Sequence, residues 1–228
     1  PADYHLLQKN ADKHSLWVLA DAAQSFGGSI NGKRVGTLAY ATATSFFPAK
    51  PLGCYGDGGA IFTNDSELTE ILKSIRVHGK GSSKYDNIRV GLNARLDTIQ
   101  AAILLEKLKI FEDELQNRQQ IAATYNKALS DIVRVPIVSE KRKSAWAQYT
   151  IQLTEQMDRT IIIDGLKELG IPTMVYYEKP LHLQTAYKHF PTSGDLKNSE
   201  LLAQTVLSLP MSQTLNPHFF SKMLCHSN

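Results

Sequence analysis

The run Leu16-Trp-Val-Leu-Ala20 constrains this chain most: an unbroken apolar stretch closed by the carboxylate of Asp21. Such a stretch marks a strand covered on both faces, as strands of a parallel sheet are. A helix is predicted over 3–14, a second strand over Tyr40–Phe46, a third over Gly58–Thr63, and a helix capped by Asn64-Asp65-Ser66 that runs to Arg76. The fold class is therefore α/β. Asp21 falls at the C-terminal edge of its strand, where open α/β sheets present functional groups.

Asn31-Gly32 between Ser29 and Val35 predicts a hairpin. Residues 79–91 are polar and contain Gly and Ser, so they form a loop. Leu96, Ile99, Ile103, Leu104, Leu108 and Phe111 recur at helical spacing and predict one long helix, Asp97–Leu129, bridging two domains. Beyond it come a strand at Tyr149–Leu153, a helix at Arg159–Leu169, a turn at Gly170-Ile171-Pro172 into a strand at Thr173–Tyr176, and a helix at Asp195–Ser208. Residues 1–120 thus form a larger domain and 121–228 a small α/β domain. The opening PADYHLLQKN lacks Met, and the end trails off after Phe219, Phe220, Met223 and Leu224, so both ends read as cut.

A net charge of +3 on scattered Lys and Arg argues against nucleic acid as a partner. The cysteines, Cys54 and Cys225, form no CxxC pair, which disfavours a disulfide framework or structural zinc. No apolar run approaches the roughly 20 residues of a membrane helix, and the cytoplasm is the expected location.

Lys50 carries the chemistry. A lone lysine is ordinarily a solvated surface charge. This one sits among apolar residues in Ser45-Phe-Phe-Pro-Ala-Lys50-Pro-Leu-Gly, directly after a strand. A desolvated amine is a competent nucleophile. Asp21 is either a strand-end carboxylate or the partner of a cationic ring nitrogen, as pyridoxal phosphate chemistry requires. Gln24, three residues on, is a loop amide or a neighbour of the same ligand. Ser45 is a strand-end hydroxyl or a phosphate ligand. Gly53-Cys-Tyr-Gly56-Asp-Gly58-Gly59 is neither a Walker loop nor a dinucleotide fingerprint; its glycines let backbone pass close to a neighbour.

Taken in order, Leu19-Ala-Asp21-Ala-Ala-Gln24-Ser-Phe-Gly-Gly, Thr44 to Thr63, Arg76-Val-His-Gly79 and Gly91-Leu-Asn-Ala-Arg-Leu-Asp-Thr-Ile-Gln-Ala-Ala102 resemble the DegT/DnrJ/EryC1/StrS sugar aminotransferases. Trp146 to Ile151 and Tyr177-Glu-Lys-Pro-Leu-His182-Leu-Gln resemble that family's C-terminal domain. The resemblance implies the type I pyridoxal-phosphate aminotransferase fold, a three-layer large domain, here incomplete, plus a small C-terminal α/β domain. It implies Lys50 as the Schiff-base lysine and proton shuttle, and pyridoxal 5'-phosphate as cofactor. It implies Asp21 at the pyridine nitrogen, Gln24 beside the ring and Ser45 on the phosphate. Asn93 would reach the phosphate of the neighbouring subunit of a homodimer. Arg95 and His182 would face the substrate, or else Arg95 pairs with Asp97 or Glu106 and His182 is a satisfied half-buried histidine.

The implied reaction moves an amino group, from glutamate, to a keto nucleotide-sugar. Gly53–Thr63 and Tyr85–Arg89 look most like enzymes that aminate a UDP-3-keto-uronic-acid sugar for bacterial surface polysaccharide such as O-antigen. A close variant of the family replaces the lysine with histidine and becomes a sugar dehydratase; Lys50 favours transamination. The resemblance also implies that the family's N-terminal segment, with its phosphate-holding turn and ring-stacking aromatic, lies outside this chain. Sheet edges and apolar faces should then be open. A catalytically inactive fragment with an interaction or regulatory role is the alternative from another class.

Overall fold

Three helix starts are capped by an aspartate one residue before the helix, at Asp3, Asp65 and Asp158. Asp3 Oδ1 accepts the Leu6 N–H at 3.1 Å, opening α1 (Tyr4–Lys13). The computed structural model describes residues 1–83 and 85–212; Cys225 and the apolar residues expected near the C-terminus lie outside them. Two units divide the chain, Pro1–Leu115 with Val138–Ala147, and Gln116–Ile137 with the residues from Gln148 onward. From the sequence, the domain change is set near residue 120; here the chain crosses at Leu115 and sends Val138–Ala147 back to the first unit.

In the first unit, β1 (Leu19–Asp21) is followed by β2 (Ser29–Ile30) and β3 (Lys33–Arg34), the expected hairpin about Asn31 and Gly32, whose φ angles are 50° and 77°. Next come β4 (Ala41–Ser45), β5 (Gly59–Thr63) and α2 (Ser66–Arg76), which Asp65 caps through the Leu68 N–H at 2.9 Å. A sheet forms in the order β1-β4-β5, with β1 parallel and β5 antiparallel to β4.

Only one face of this sheet is covered. Ala20, Thr42 and Thr44 are buried, whereas Leu19 is 56% and Ile61 53% exposed on the other side. Leu16 and Trp17 are exposed as well and stand outside the strand. The apolar run is therefore a parallel strand, as expected, but with one open face and one open edge among the described residues.

The predicted helix over 97–129 is two helices, α3 (Thr98–Leu108) and α4 (Phe111–Leu129). Lys109 and Ile110 turn tightly between them, bonding back to Glu106 and Lys107 at 3.2 Å. Glu112, Asp113 and Glu114 crowd the first turn of α4, where negative charge favours a new helix start. Periodicity saw one apolar stripe and missed this electrostatic break.

Phe26 is the hub of the covered face. Its ring stacks on Phe62 at 5.7 Å and on Phe111 at 5.8 Å, and meets Phe46 edge-on at 6.3 Å. Phe46, Leu52, Cys54, Leu104, Phe111, Leu115 and Ala145 surround it. The short strand β6 (Arg142–Lys143) pairs with β2, and Arg142 adds an ion pair to Asp3 at 2.7 Å.

The second unit contains β7 (Tyr149–Gln152), α5 (Arg159–Glu168), α6 (Lys197–Thr205) and β8 (Val206–Leu209). The helix expected to run to Ser208 stops at Thr205. Val206–Leu209 is buried along its whole length and pairs antiparallel with β7, which satisfies its backbone better than another helical turn would. In place of the strand expected at 173–176 there is a single bridge, Met174 to Ser208. Tyr125 and Tyr149 are fully buried, 4.8 Å apart, with hydroxyls bonded to Pro210 O and Asn126 Oδ1.

Two outcomes follow from this packing. Gly79 has φ +73° and a Cβ there would collide with the Arg89 carbonyl, whereas Gly32 has φ +77° and open space. Gly32→Ala should cost about 1–2 kcal/mol from backbone strain alone, and Gly79→Ala clearly more, read as the shift in denaturant midpoint. Burial pushes the Tyr149 phenol up to about 12, from about 10 in an unfolded chain. The stability this confers is full below pH 10 and is lost as pH rises towards 12. Tyr149→Phe should flatten that alkaline loss in unfolding midpoints measured against pH.

Candidate active site

β1 and β4 run parallel, so their C-terminal ends form one edge. Asp21 ends β1 and Ser45 ends β4. Asp21 is in register with Ala43, two residues before Ser45, and alternation puts all three on the same face. This is the face left open. The turn after Asp21 is stitched to the neighbouring strand: the Ala22 N–H donates to Ala43 O at 2.7 Å and Thr44 Oγ1 donates to Ala22 O at 3.2 Å. Asp21 Oδ1 accepts the Ala23 N–H at 2.9 Å; Oδ2 has no hydrogen-bond partner among the described residues. Gln24 lies exposed on the same turn. Burial, and secondarily the Asp21 charge, raises the Tyr4 phenol above its ordinary value.

Lys50 sits on a loop that closes on itself at the end of β4. The Phe46 N–H donates to Gly58 O at 2.7 Å, Cys54 N–H to Phe46 O at 2.8 Å and Lys50 N–H to Phe47 O at 2.9 Å. Ser45 Oγ accepts the Phe47 N–H at 3.2 Å. Leu52 and Cys54, 2% and 1% exposed, root the loop in the core. A Cβ at Gly53 would lie 2.5 Å from Pro48 O, and one at Gly59 2.7 Å from Thr44 O. These glycines serve close backbone approach, as expected. The Lys50 side chain is half-buried, and its Nζ has no hydrogen-bond or ion-pair partner among the described residues. Asp21 and Ser45 thus share one strand edge, from which the Lys50 loop departs. That donor set suits a ligand with an electrophilic carbonyl, a basic ring nitrogen and an anionic group.

Gln100, on α3, is a residue that sequence reasoning passed over. Its Oε1 accepts the Tyr55 N–H at 2.8 Å, and Lys107 Nζ lies 5.8 Å from the Tyr55 ring centre. Both bind the far side of the Lys50 loop to α3. Nothing in a helical glutamine marks it as an anchor of a distant loop.

Asn93 and Arg95 follow a segment laid against the end of α2. Val77 and Asn93 form an antiparallel bridge, with His78 N–H to Leu92 O at 2.9 Å, Leu92 N–H to Ile75 O at 2.7 Å and Ala94 N–H to Arg76 O at 3.0 Å. Both side chains are exposed, and Arg95 Nε donates to Asn93 Oδ1 at 3.1 Å. The alternative pairing of Arg95 with Asp97 or Glu106 does not occur; Glu106 pairs with Lys109 at 2.7 Å. No hydrogen bond or ion pair among the described residues joins Asn93 or Arg95 to Asp21, Gln24, Ser45 or Lys50. In the second unit, His182 lies in the one-turn helix Leu181–Leu183 with Nε2 3.0 Å from Glu200 Oε1 and its side chain 16% exposed. It has the surroundings of a satisfied, mostly buried histidine.

The model of the DegT/DnrJ/EryC1/StrS aminotransferase family matches residues 1–223. A Pseudomonas aeruginosa UDP-2-acetamido-2-deoxy-3-oxo-D-glucuronate aminotransferase is 45% identical over 216 residues, 94% of this chain and 58% of its own length. The crystal structure of a DegT DnrJ EryC1 StrS aminotransferase from Brucella abortus is 50% identical with a TM-score of 0.94, covering 99% of this chain and 60% of that one. S. venezuelae DesV, solved in complex with a ketimine intermediate, is 35% identical with a TM-score of 0.92, at 99% and 60% coverage. The likeness covers nearly the whole described fold and establishes it as the α/β aminotransferase fold. The chain spans about three fifths of the length of these relatives.

Gln100→Ala should loosen the Lys50 loop without unfolding the unit. Peptide mapping after thiol labelling should show Cys54, now sealed in the core, modified several times faster; an unchanged rate would mean that α3 does not hold the loop.

Proposed function

The chain belongs to the DegT/DnrJ/EryC1/StrS aminotransferase family, and from that premise we propose that the full-length protein is a pyridoxal-phosphate-dependent aminotransferase acting on a keto nucleotide-sugar. One observation carries the reading: Lys50, half-buried and unpaired among the described residues, stands on a rigid loop at the strand edge that also bears Asp21 and Ser45. A surface lysine fixed only by solvent would need none of that framing.

The residues divide the work by their chemistry. Lys50 Nζ would hold the cofactor and serve as the base that moves a proton at the substrate carbon. Asp21, with Oδ2 uncommitted, would favour a protonated ring nitrogen. Ser45 would help hold the phosphate, and Gln24 would lie beside the ring. Asn93 would add an amide donor to a phosphate across a homodimer interface, and Arg95 would face the substrate; His182, paired with Glu200, keeps a structural role. When bound, pyridoxal phosphate supplies the electron-accepting ring that makes the substrate carbon acidic.

The name of the P. aeruginosa relative supports a UDP-3-keto-uronic-acid sugar as amino acceptor; glutamate as donor and a place in cytoplasmic polysaccharide biosynthesis complete the proposal. Lys50→Ala should abolish cofactor trapped covalently by borohydride, read by mass spectrometry of the intact protein. Undiminished trapping would assign the attachment to another lysine and remove the central residue of this reading. Product analysis with 3-keto and 4-keto UDP-sugars then separates the positions aminated.

A further inference from the structure

We propose that Arg95 is a positioning residue that sets the polarity of the Asn93 amide, so that Asn93 presents N–H donors, not its oxygen, to a phosphate. The inference rests on the functional reading above. Its physical basis is the donor inventory of the two side chains.

The backbone of Asn93 is fixed before its side chain is considered. Three hydrogen bonds tie residues 92–94 to the end of α2. Gly91 passes against the His78–Gly79 backbone so closely that a Cβ at Gly91 would collide with Gly79 N. His78 itself has φ 59°. These close passages leave the segment one course.

The amide remains ambiguous. An exposed asparagine can turn its oxygen or its nitrogen outward at nearly equal free energy. A guanidinium has five donors and no acceptor, so it can only face the amide oxygen. Arg95 Nε does this at 3.1 Å. The Asn93 Nδ2 group, with two N–H donors, is then the free end. A phosphate offers only acceptors, so the orientation Arg95 imposes is the one a phosphate needs.

Because only Nε is committed and no carboxylate pairs with Arg95 among the described residues, both Nη groups stay available. One side chain can then orient the amide and still face a sugar acid. Lysine could not do both, since its single ammonium has no second, geometrically fixed donor.

The test compares dissociation constants for pyridoxal phosphate and for pyridoxal, which lacks the phosphate, in the unsubstituted protein, Asn93→Ala, Arg95→Ala, Arg95→Lys and the Asn93→Ala/Arg95→Ala double variant. Asn93→Ala should weaken pyridoxal phosphate about tenfold, the scale of one hydrogen bond to a charged group. Arg95→Ala should weaken it severalfold, leave pyridoxal unchanged, and add nothing in the Asn93→Ala background, because it acts through that amide. Arg95→Lys, whose ammonium likewise only donates, should keep most of the affinity for pyridoxal phosphate. Equal loss for both ligands, full additivity with Asn93→Ala, or no effect of Arg95→Ala would each overturn the proposal. If Asn93→Ala retains full affinity, the inference fails while the Lys50 reading stands; if the unsubstituted protein binds neither ligand, both fail.

Discussion

The parallel pairing of β1 with β4 is the constraint on which the rest depends. Leu19, Ala20 and Asp21 match Ala41, Thr42 and Ala43 in register. That register places Asp21 and Ser45 at one edge, on one face, and starts the Lys50 loop from the same edge. A slip of one residue would turn Asp21 into the covered face, among Phe26 and Phe62, where a carboxylate would have no partner. The stack of Phe26 between Phe62 and Phe111 opposes such a slip, because it fills the side on which Ala20, Thr42 and Thr44 must lie.

Rigidity around Lys50 comes from backbone, not from side-chain partners of the lysine. Glycines at 53, 58 and 59 let three stretches of chain lie within contact distance, and Leu52 and Cys54 anchor the loop from below. The Lys50 backbone is thereby fixed, and its amine has no counter-ion among the described residues. The same device recurs at the Asn93 segment, where Gly79 and Gly91 permit a backbone crossing and a short ladder against α2 fixes the backbone that carries a polar side chain.

The candidate site was legible in the sequence to the extent that it is local. Asp21 after an apolar run, Lys50 after a strand in an apolar setting, and the Gly-rich stretch between Gly53 and Gly59 carry their meaning in short windows. Gln100 does not, because its role exists only once α3 lies beside residue 55. His182 likewise acquires its partner, Glu200, only by folding. The element errors have the same origin. Val206–Leu209 is apolar enough for either state, and pairing with Tyr149–Gln152 decides for strand. The break after Leu108 was written in the acidic turn at 112–114, but apolar periodicity does not register charge.

By itself, the sequence determined the α/β class, the helix cap at Asn64-Asp65-Ser66, the Asn31-Gly32 hairpin and the family, since each depends on neighbouring residues or on motifs in fixed order. Only the tertiary structure decided which sheet face stays open, which strand the final apolar run joins, and what Arg95 bonds. These depend on contacts between residues far apart in the chain, whose energies are comparable for several pairings until packing admits one.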